Sequence, residues 1–238
     1  MLKIRVTFTI QITLILYIYK SNIFKLLNTI NAKNAVVGIA KRIAQCETCP
    51  LYKTRTLTVP GEGDPTSDIM FIGEAPGLNE DKEGSPFVGR AGKLLDQLLN
   101  EIGLSRNKVF ITNMVKCRPP NNRDPAPSEM SSCSRHLDSQ IQVIEPTVIV
   151  TLGRFSFSKF FPGLSISKAR GIPRTWKNKH IFPMYHPAAA LYNPSLRPRL
   201  AHDFTKLSQL LNESHHMSKI HNGSPSQVKP KQLGLFDQ

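Results

Sequence analysis

The feature that most constrains the fold of this chain is a set of short apolar segments, each ending at a turn-forming or polar residue. Residues 68–73, 109–113 and 147–153 are such segments, dominated by Ile, Val, Phe and Thr. A short apolar run of this kind is typical of a buried strand. Residues 180–185 form a weaker fourth segment, in which Pro183 has no N–H to donate and predicts a position at the edge of the sheet.

The stretches between these strands have helical character. We predict helices over residues 35–45, 91–102, 128–144 and 198–211, and a short helix after Gly153. Strands that alternate with helices form a mostly parallel sheet covered on both faces, which is the α/β class.

In such a sheet the ligand site lies beyond the carboxyl ends of the strands. The residues at those ends are 73–77, Asn113, Gly153 and 186–187. We therefore expect polar groups from separate strands to converge at one edge of the sheet.

The charge of the chain is one-sided. It has 31 Lys and Arg against 17 Asp and Glu, a formal net charge of +14, which favours an acidic partner, first nucleic acid and second an anionic membrane. Residues 146–202 contain nine basic residues and no acidic one. Solvated surfaces normally mix both signs, so we predict that this stretch faces phosphates. A surface that serves only solubility is the alternative.

The amino-terminal segment differs from the rest of the chain. Residues 1–33 lack Gly, Pro and acidic residues, and their longest uncharged run is 14 residues, shorter than the about 20 that span a bilayer. We interpret them as an atypical hydrophobic and basic extension that results from an upstream start codon. A membrane anchor is the alternative.

The carboxyl-terminal residues 212–238 are polar and predict a flexible tail. The tail ends in Gln232, Leu233, Gly234, Leu235 and Phe236. Apolar anchors on a flexible tail usually fold onto a partner. This pentapeptide resembles the motif by which bacterial DNA-repair and replication proteins bind the sliding clamp, which implies a cytoplasmic, nucleoid-associated protein. A tail that packs on its own domain is the alternative.

The four cysteines are Cys46, Cys49, Cys117 and Cys133. A disulfide framework is not expected in a chain with a core of its own. Structural zinc usually takes two close pairs of ligands, whereas only Cys46 and Cys49 form one here. An iron–sulfur cluster accepts more scattered thiolates. The spacing alone leaves a cluster, zinc and plain thiols open.

Several motifs occur together in a fixed order. They are Cys46-x-x-Cys49, GEAPG at 73–77, GSPFVGRAG at 84–92, TNMVKCRPP at 112–120, Cys133 and His186-Pro187. This ordered set, spread over residues 35–211, resembles the family 4 uracil-DNA glycosylases, the iron–sulfur branch of their superfamily. The resemblance implies a glycosylase domain over residues 34–211, with a three-layer α/β/α sandwich around a central four-stranded parallel sheet. It also implies a structural [4Fe–4S] cluster on the four cysteines.

The same resemblance implies an activity, the hydrolysis of uracil from DNA to leave an abasic site. A uracil flipped out of the duplex would stack on Phe87, which Pro86 and its neighbouring glycines place in a loop. The Asn113 amide would donate to uracil O4 and accept from N3–H, contacts that cytosine cannot make. Glu80 would fill the space beside C5 and exclude thymine.

Further residues would act on the glycosidic bond. His186 would donate to uracil O2 as negative charge develops there, together with backbone amides of the turn that contains Glu74, Ala75 and Pro76. Family 1 enzymes have an Asp as water-activating base where this chain has Ala75. Glu74 is therefore our candidate for orienting the water.

The loop after His186 is expected to enter the gap left by the flipped base. Leu191 or Tyr192 would act as the wedge, and Tyr192 stands where family members often have Arg. We expect the protein to be a monomer that binds uracil-containing DNA and does not associate with a membrane. The alternative function is a catalytically inactive iron–sulfur module that binds nucleic acid and is tethered to the clamp.

Overall fold

The computed structural model describes residues 26–221 together with Tyr19 and Ile23, and side chains as far as Glu213. The remainder of the predicted N-terminal extension and the clamp-like motif at 232–236 lie outside the described residues. Among the described helices, none combines the length and apolar composition that crossing a bilayer requires.

The centre of the fold is a sheet in the order β1-β3-β2-β4-β6-β5. Its strands are β1 (Glu62–Gly63), β2 (Ile69–Gly73), β3 (Phe110–Asn113), β4 (Val148–Leu152), β5 (Arg174–Trp176) and β6 (Lys179–Met184). The four central strands β3, β2, β4 and β6 are parallel, which confirms the predicted four-stranded parallel core. The short strands β1 and β5 add antiparallel edges, which the sequence analysis missed.

Helices cover both faces of the sheet. They are α1 (26–44), α2 (Leu78–Glu83), α3 (Arg90–Glu101), α4 (Pro127–Ile144), α5 (Arg154–Ser158), α6 (Ile166–Ala169), α7 (Pro187–Tyr192) and α8 (Arg197–His221). One apolar cluster joins α3, α7 and α8 to the sheet, and a second joins α4, α5 and α6, with Val36 of α1 packed against it.

The alternation of side chains along the strands explains the two clusters. Phe71 of β2 belongs to the first cluster, whereas its neighbours Met70 and Ile72 belong to the second. Successive strand residues point to opposite faces, so a continuous apolar strand supplies two cores. The predicted α/β/α sandwich is therefore confirmed.

Strand register sets the geometry of the carboxyl edge. Gly73 pairs with Asn113 across β2 and β3. On the other side the backbone N–H of Gly153 donates to the carbonyl oxygen of Met184 at 2.9 Å. The two strand ends that carry Asn113 and His186 are thereby brought to the same edge as the turn after Gly73.

Two boundary predictions were wrong. The first concerns strand β6, which is not an edge strand because β5 pairs with it over Lys179–Ile181. Pro183 is compatible with this pairing because it lies beyond the end of β5, where its carbonyl oxygen accepts a hydrogen bond from Gly171 N–H. Helix α8 continues to His221, so residues 212–221 are helical where a tail was predicted to begin. Between Arg199 and Gly223 the sequence has neither Gly nor Pro to stop it.

Candidate active site and cysteine cavity

A cavity of about 270 Å³ opens at the carboxyl edge of the sheet. Every residue predicted to bind uracil lines it, namely Glu74, Ala75, Pro76, Glu80, Phe87, Asn113 and His186. These side chains come from four separate segments, and the strand register described above is what brings them together. Their chemical roles stay predictions.

The cavity also contains residues that the sequence analysis missed, which are Gly77, Ala91, Pro119, Asn122, Arg123 and Ala188. Asn122 and Arg123 belong to the loop that follows the TNMVKCRPP motif, and the turn-forming pair Asn121-Asn122 was the signal for it. Both asparagines have positive φ. Arg123 is held by a two-pronged ion pair with Glu129, at 2.7 and 2.8 Å.

Asn113 occupies the floor of the cavity at the end of β3. The residue is only 2% exposed, and its Oδ1 is buried without a hydrogen-bond partner among the described residues. A buried acceptor without a partner is unfavourable, so this amide is poised for a ligand. Gly73 provides the space, because a Cβ at that position would overlap Asn113 Oδ1 and the Phe87 ring.

Phe87 forms one wall of the cavity in a constrained loop. Its φ is +55°, which is uncommon for a residue with a side chain, and its ring stacks on His186 with centroids 5.5 Å apart. Arg106 holds this loop by donating to the carbonyl oxygens of Pro86 and Phe87.

Arg106 is itself fixed by two carboxylates. It pairs with Glu62 on β1 and with Asp96 on α3, the latter at 3.0 Å. On the opposite side of the loop, a Cβ at Gly92 would overlap the Phe87 carbonyl. Close approach of α3 and the grip of Arg106 therefore stabilise the unusual backbone that presents the Phe87 ring.

The carboxylate of Glu80 is fully engaged by backbone N–H groups. Its Oε2 accepts from Gly77 at 3.1 Å, and its Oε1 accepts from Val88 and Gly89 at 3.0 and 2.9 Å. These bonds connect the turn before α2 to the Phe87 loop. Glu80 is thus a rigid part of the cavity wall and not the solvated loop acid that its sequence context alone indicates.

His186 precedes α7 and caps its first turn. The backbone N–H of Ala188 donates to His186 Nδ1 at 3.1 Å. Burial lowers the pKa of His186 to about 4 although the charge of Glu80 opposes this, so the imidazole is neutral at neutral pH. Since Nδ1 is an acceptor, the proton of the neutral ring resides on Nε2.

Glu74 also lines the cavity. Burial, together with charge repulsion from Asp124, raises the pKa of Glu74 to about 7 against the opposing effect of Arg154. Arg154 and Asp124 form an exposed ion pair next to it. Glu74 therefore changes charge near neutral pH, unlike an ordinary surface carboxylate.

The two predicted wedge residues differ in their surroundings. Leu191 packs against the core beneath α7, whereas Tyr192 is 91% exposed. Only Tyr192 is free to enter DNA without unpacking the domain.

The basic stretch 146–202 is less uniform in the folded protein than in the sequence. Three of its cations are paired with acids from other segments, in Arg154–Asp124, Lys159–Asp138 and Arg170–Asp203. Lys168, Lys177, Arg197 and Arg199 remain exposed.

A second, smaller cavity contains all four cysteines. Cys46 and Cys49 come from the segment after α1, Cys117 follows β3, and Cys133 lies on α4. Burial raises the pKa of the Cys117 thiol and raises that of Cys133 to about 11, so ligation of a metal would displace a proton from each.

The surroundings of the four sulfur atoms suit thiolates. Arg55 Nη1 donates to Cys117 Sγ at 3.3 Å and also to the Cys46 carbonyl at 2.7 Å. Arg135 approaches Cys46 Sγ at 3.7 Å. Within the described residues no group of three or more His, Cys, Asp or Glu side chains is arranged to hold a single metal ion. Four cysteines that line one cavity, with cationic N–H donors at Cys46 and Cys117, are the donor set that an iron–sulfur cluster requires.

The chain is similar in sequence to a known protein family and to several of its members. The family model of the Uracil DNA glycosylase superfamily matches residues 60–212. The chain is 56% identical over 182 residues to the Type-4 uracil-DNA glycosylase of Sulfurisphaera tokodaii, covering 72% of this chain and 83% of the relative. It is 55% identical to that of Saccharolobus solfataricus, covering 73% and 85%.

The Type-4 uracil-DNA glycosylase of Archaeoglobus fulgidus is 46% identical, covering 72% of this chain and 91% of the relative. Identity at this level over most of each relative leaves no room for a chance match of motifs. The chain belongs to the uracil DNA glycosylase superfamily, and within it to the type-4 uracil-DNA glycosylases.

Proposed function

We propose that this protein hydrolyses the N-glycosidic bond of uracil in DNA, releasing free uracil and leaving an abasic site in base excision repair. The observation that carries the proposal is the buried Oδ1 of Asn113, which has no partner within the described part of the chain and lies in a cavity that Phe87 and His186 also line. A buried acceptor between an aromatic ring and a fixed N–H donor matches the edge of a pyrimidine-dione.

Recognition begins when the nucleotide leaves the duplex, because the target bond is out of reach inside the stack. The base then contacts the Phe87 ring, and Asn113 Oδ1 accepts from uracil N3–H. Cytosine presents a lone pair at N3, so Oδ1 would face a second acceptor. Sites built on such polar contacts reject the wrong partner by ~10⁴ or more.

Thymine is excluded by shape. Its C5 methyl group would point at the wall to which Glu80 contributes, and three backbone hydrogen bonds hold the Glu80 carboxylate in place. A rigid wall leaves no volume for the methyl group, so thymine cannot bind unless the hydrogen bonds to the Glu80 carboxylate break.

Departure of uracil requires stabilisation of the negative charge that develops on its O2. The neutral His186 ring offers Nε2–H for this purpose, because its Nδ1 is occupied by the Ala188 N–H. A single oriented donor of this kind is worth roughly 10²–10³ in kcat.

Glu74 orients the water that attacks the sugar. Its pKa of about 7 leaves much of it ionised at neutral pH, and it lines the cavity next to Ala75, whose methyl group cannot take a proton. Leaving-group stabilisation therefore supplies the larger part of catalysis, and Glu74 assists.

The enzyme is monofunctional. Among the described residues that line the cavity there is no lysine. The nearby Lys116 is buried, and its Nζ donates to Thr112 Oγ1, Asn113 O and Gln140 Oε1. An amine so engaged is not free to attack the sugar as a lyase would.

A [4Fe–4S] cluster would be held by Cys46, Cys49, Cys117 and Cys133. When bound, it supplies a covalent cross-link between the segment after α1, the loop after β3 and helix α4, and we assign it no redox turnover. Cys117 lies four residues after Asn113, so this cross-link also anchors the loop that leads away from the base-reading residue.

Tyr192 serves as the wedge in the DNA gap, supported by its exposure at the end of α7, the helix that begins after His186. An aromatic ring can stack on neighbouring bases, although it lacks the cation that many relatives have. The remaining proposals concern partners and location. They are docking of residues 232–236 on the sliding clamp, a monomeric state, and a cytoplasmic, nucleoid-associated location.

The direct test is incubation of the purified protein with a uracil-containing oligonucleotide, followed by alkali to cleave abasic sites. The wild type should give product, and His186→Ala should lower the single-turnover rate by about 10²–10³-fold. His180→Ala is the matched control, because His180 lies exposed near the start of β6, the strand that leads to His186. Absence of product with DNA binding intact would instead support the inactive iron–sulfur binding module.

A further inference from the structure

The geometry points to His136 as a hydrogen-bond donor to the sulfur atoms of the iron–sulfur cluster. This inference rests on the cluster proposed above and extends it beyond the four cysteine ligands. It assigns a function to a buried imidazole that neither the glycosylase site nor the cysteine motif uses.

His136 is placed at the cluster by helix α4. It follows Cys133 by three residues, and residues three apart lie on the same face of a helix. His136 lines the cavity together with all four cysteines. Its side chain faces the protein interior and is only 6% exposed.

The imidazole has an unfilled hydrogen-bonding position. His136 Nε2 is buried and has no partner among the described residues. Buried polar atoms are nearly always hydrogen-bonded, so such an atom indicates a partner other than the protein. In the described part of the chain, four buried side-chain atoms lack a hydrogen-bond partner. They are Asn113 Oδ1, His136 Nε2, Thr151 Oγ1 and Arg174 Nε. The first of them faces the uracil cavity, and the second belongs to the cysteine cavity.

A donor fits this position better than a fifth ligand. Four cysteines already supply one thiolate for each of the four irons, so no iron requires a nitrogen. The cluster with its four thiolates is anionic and rich in sulfur acceptors. Arg55 and Arg135 already direct N–H groups at Cys117 and Cys46, and His136 would add a donor from the α4 side.

Such a donor has a measurable consequence. Hydrogen bonds to cluster sulfurs stabilise the more negative, reduced state and raise the reduction potential. Their loss also weakens retention of the metal, because outer-shell partners commonly contribute about 10–100-fold to metal affinity. Removal of the His136 N–H should therefore lower the potential and speed the loss of iron to a chelator.

The experiment uses the full chain, purified without oxygen, in four forms: wild type, His136→Phe, His136→Gln and the control His180→Phe. His136→Phe keeps a planar side chain without an N–H, whereas His136→Gln retains an N–H donor. His180→Phe makes the same change at an exposed position. Iron and sulfide content, reduction potential by film voltammetry and the rate of bleaching by a chelator are measured for each.

We expect His136→Phe to bind iron but to show a more negative potential and about tenfold faster bleaching. His136→Gln should lie close to the wild type, and His180→Phe should match it. Equal potentials and bleaching rates for wild type and His136→Phe would overturn the inference. Wild-type protein without iron would instead refute the proposed cofactor, so the two failures are distinguishable.

A measurement on the wild type covers the case in which His136→Phe does not assemble a cluster. The protein is labelled with ¹⁵N-histidine, reduced at low temperature and examined by pulsed EPR. A ¹⁵N coupling to the cluster is expected in the wild type and should disappear in His136→Gln. No coupling in the wild type would rule out the hydrogen bond.

Discussion

Replacement of Gly73 by alanine tests whether the cavity is shaped to hold Asn113 and Phe87 at fixed positions. Gly73 is the last residue of β2 and has no positive φ, so alanine is compatible with its backbone. The conflict is therefore one of space alone. An added Cβ would lie 2.7 Å from Phe87 Cζ and closer still to Asn113 Oδ1.

The expected size of the effect follows from these distances. Ordinary contacts to a Cβ begin at 3.4 Å, so the two side chains must retreat by about 1 Å, and a misplacement of that size can lower a rate by about 10²-fold. Neither the Asn113 nor the Phe87 side chain can move without a cost in free energy. Asn113 is buried in the sheet, and Phe87 is held by Arg106 and stacked on His186. The cost in folding stability should be about 1–3 kcal/mol, as for other overpacked sites.

The assay is single-turnover excision from a uracil-containing oligonucleotide, with thermal unfolding measured in parallel. We expect Gly73→Ala to remain folded and to excise uracil about 10²-fold more slowly. The matched control is Gly38→Ala in α1, where the nearest atom to a new Cβ is Arg42 Nη1 at 3.8 Å. That variant should keep the wild-type rate and gain about 0.5–1 kcal/mol of stability from its helix propensity.

Wild-type excision by a folded Gly73→Ala protein would refute the reasoning. It would mean that Asn113 and Phe87 can both move by about 1 Å without consequence, and therefore that their observed positions do not define the uracil site.

Three further predictions concern the walls and rim of the cavity. In the wild type, kcat/KM should rise as the pH passes through about 7, because burial keeps the Glu74 carboxyl protonated below that value. In Glu74→Gln, kcat/KM should not depend on pH in this range. The pH profiles of the two proteins test this, and equal slopes would exclude Glu74 as the water-orienting group. Arg106→Gln should lower kcat/KM about 10-fold by releasing the Phe87 loop. In a Phe87→Ala background it should lower kcat/KM little further, although it should lower Tm in both backgrounds. Additive losses of activity would show that Arg106 does not act through Phe87. Tyr192→Ala should slow excision from duplex but not from single-stranded DNA, and equal slowing on both substrates would remove Tyr192 as the wedge. Leu191→Ala should chiefly lower the free energy of unfolding, by about 2 kcal/mol, because Leu191 packs on the core.

The sequence was sufficient for the parallel core of the fold. Each central strand is an uninterrupted apolar run, because in an α/β sheet both faces of the strand are buried. The edge strands β1 and β5 were missed because they are too short to show an apolar run. They have two and three residues, and their pairing depends on the neighbouring strand, not on any hydrophobic pattern of their own.

Seven of the residues that line the cavity could be named from the sequence because the ordered motifs of the family point to them, whereas six others were missed. Their individual states could not be read from the same letters. The burial of Asn113 and the burial that keeps the His186 ring neutral both depend on contacts between distant segments. The bonds from Val88 and Gly89 to Glu80 likewise join helix α2 to the Phe87 loop.

The basic stretch illustrates the limit of charge patterns. Along the chain its nine cations have no acidic neighbour, yet Asp124, Asp138 and Asp203 reach three of them in space. Coulomb interactions act over distance in the folded molecule and not over separation in sequence.

The sequence by itself determined the class of fold, the order of the motifs and the superfamily, because local hydrophobic periodicity and motif spacing are properties of neighbouring residues. Only the tertiary structure decided that Tyr192 is free whereas Leu191 is packed, that Arg106 holds the Phe87 loop, and that His136 shares a cavity with four cysteines. Exposure, hydrogen-bond partners and pKa shifts arise from the proximity of residues that are far apart in the chain, and such proximity exists only once the chain has folded.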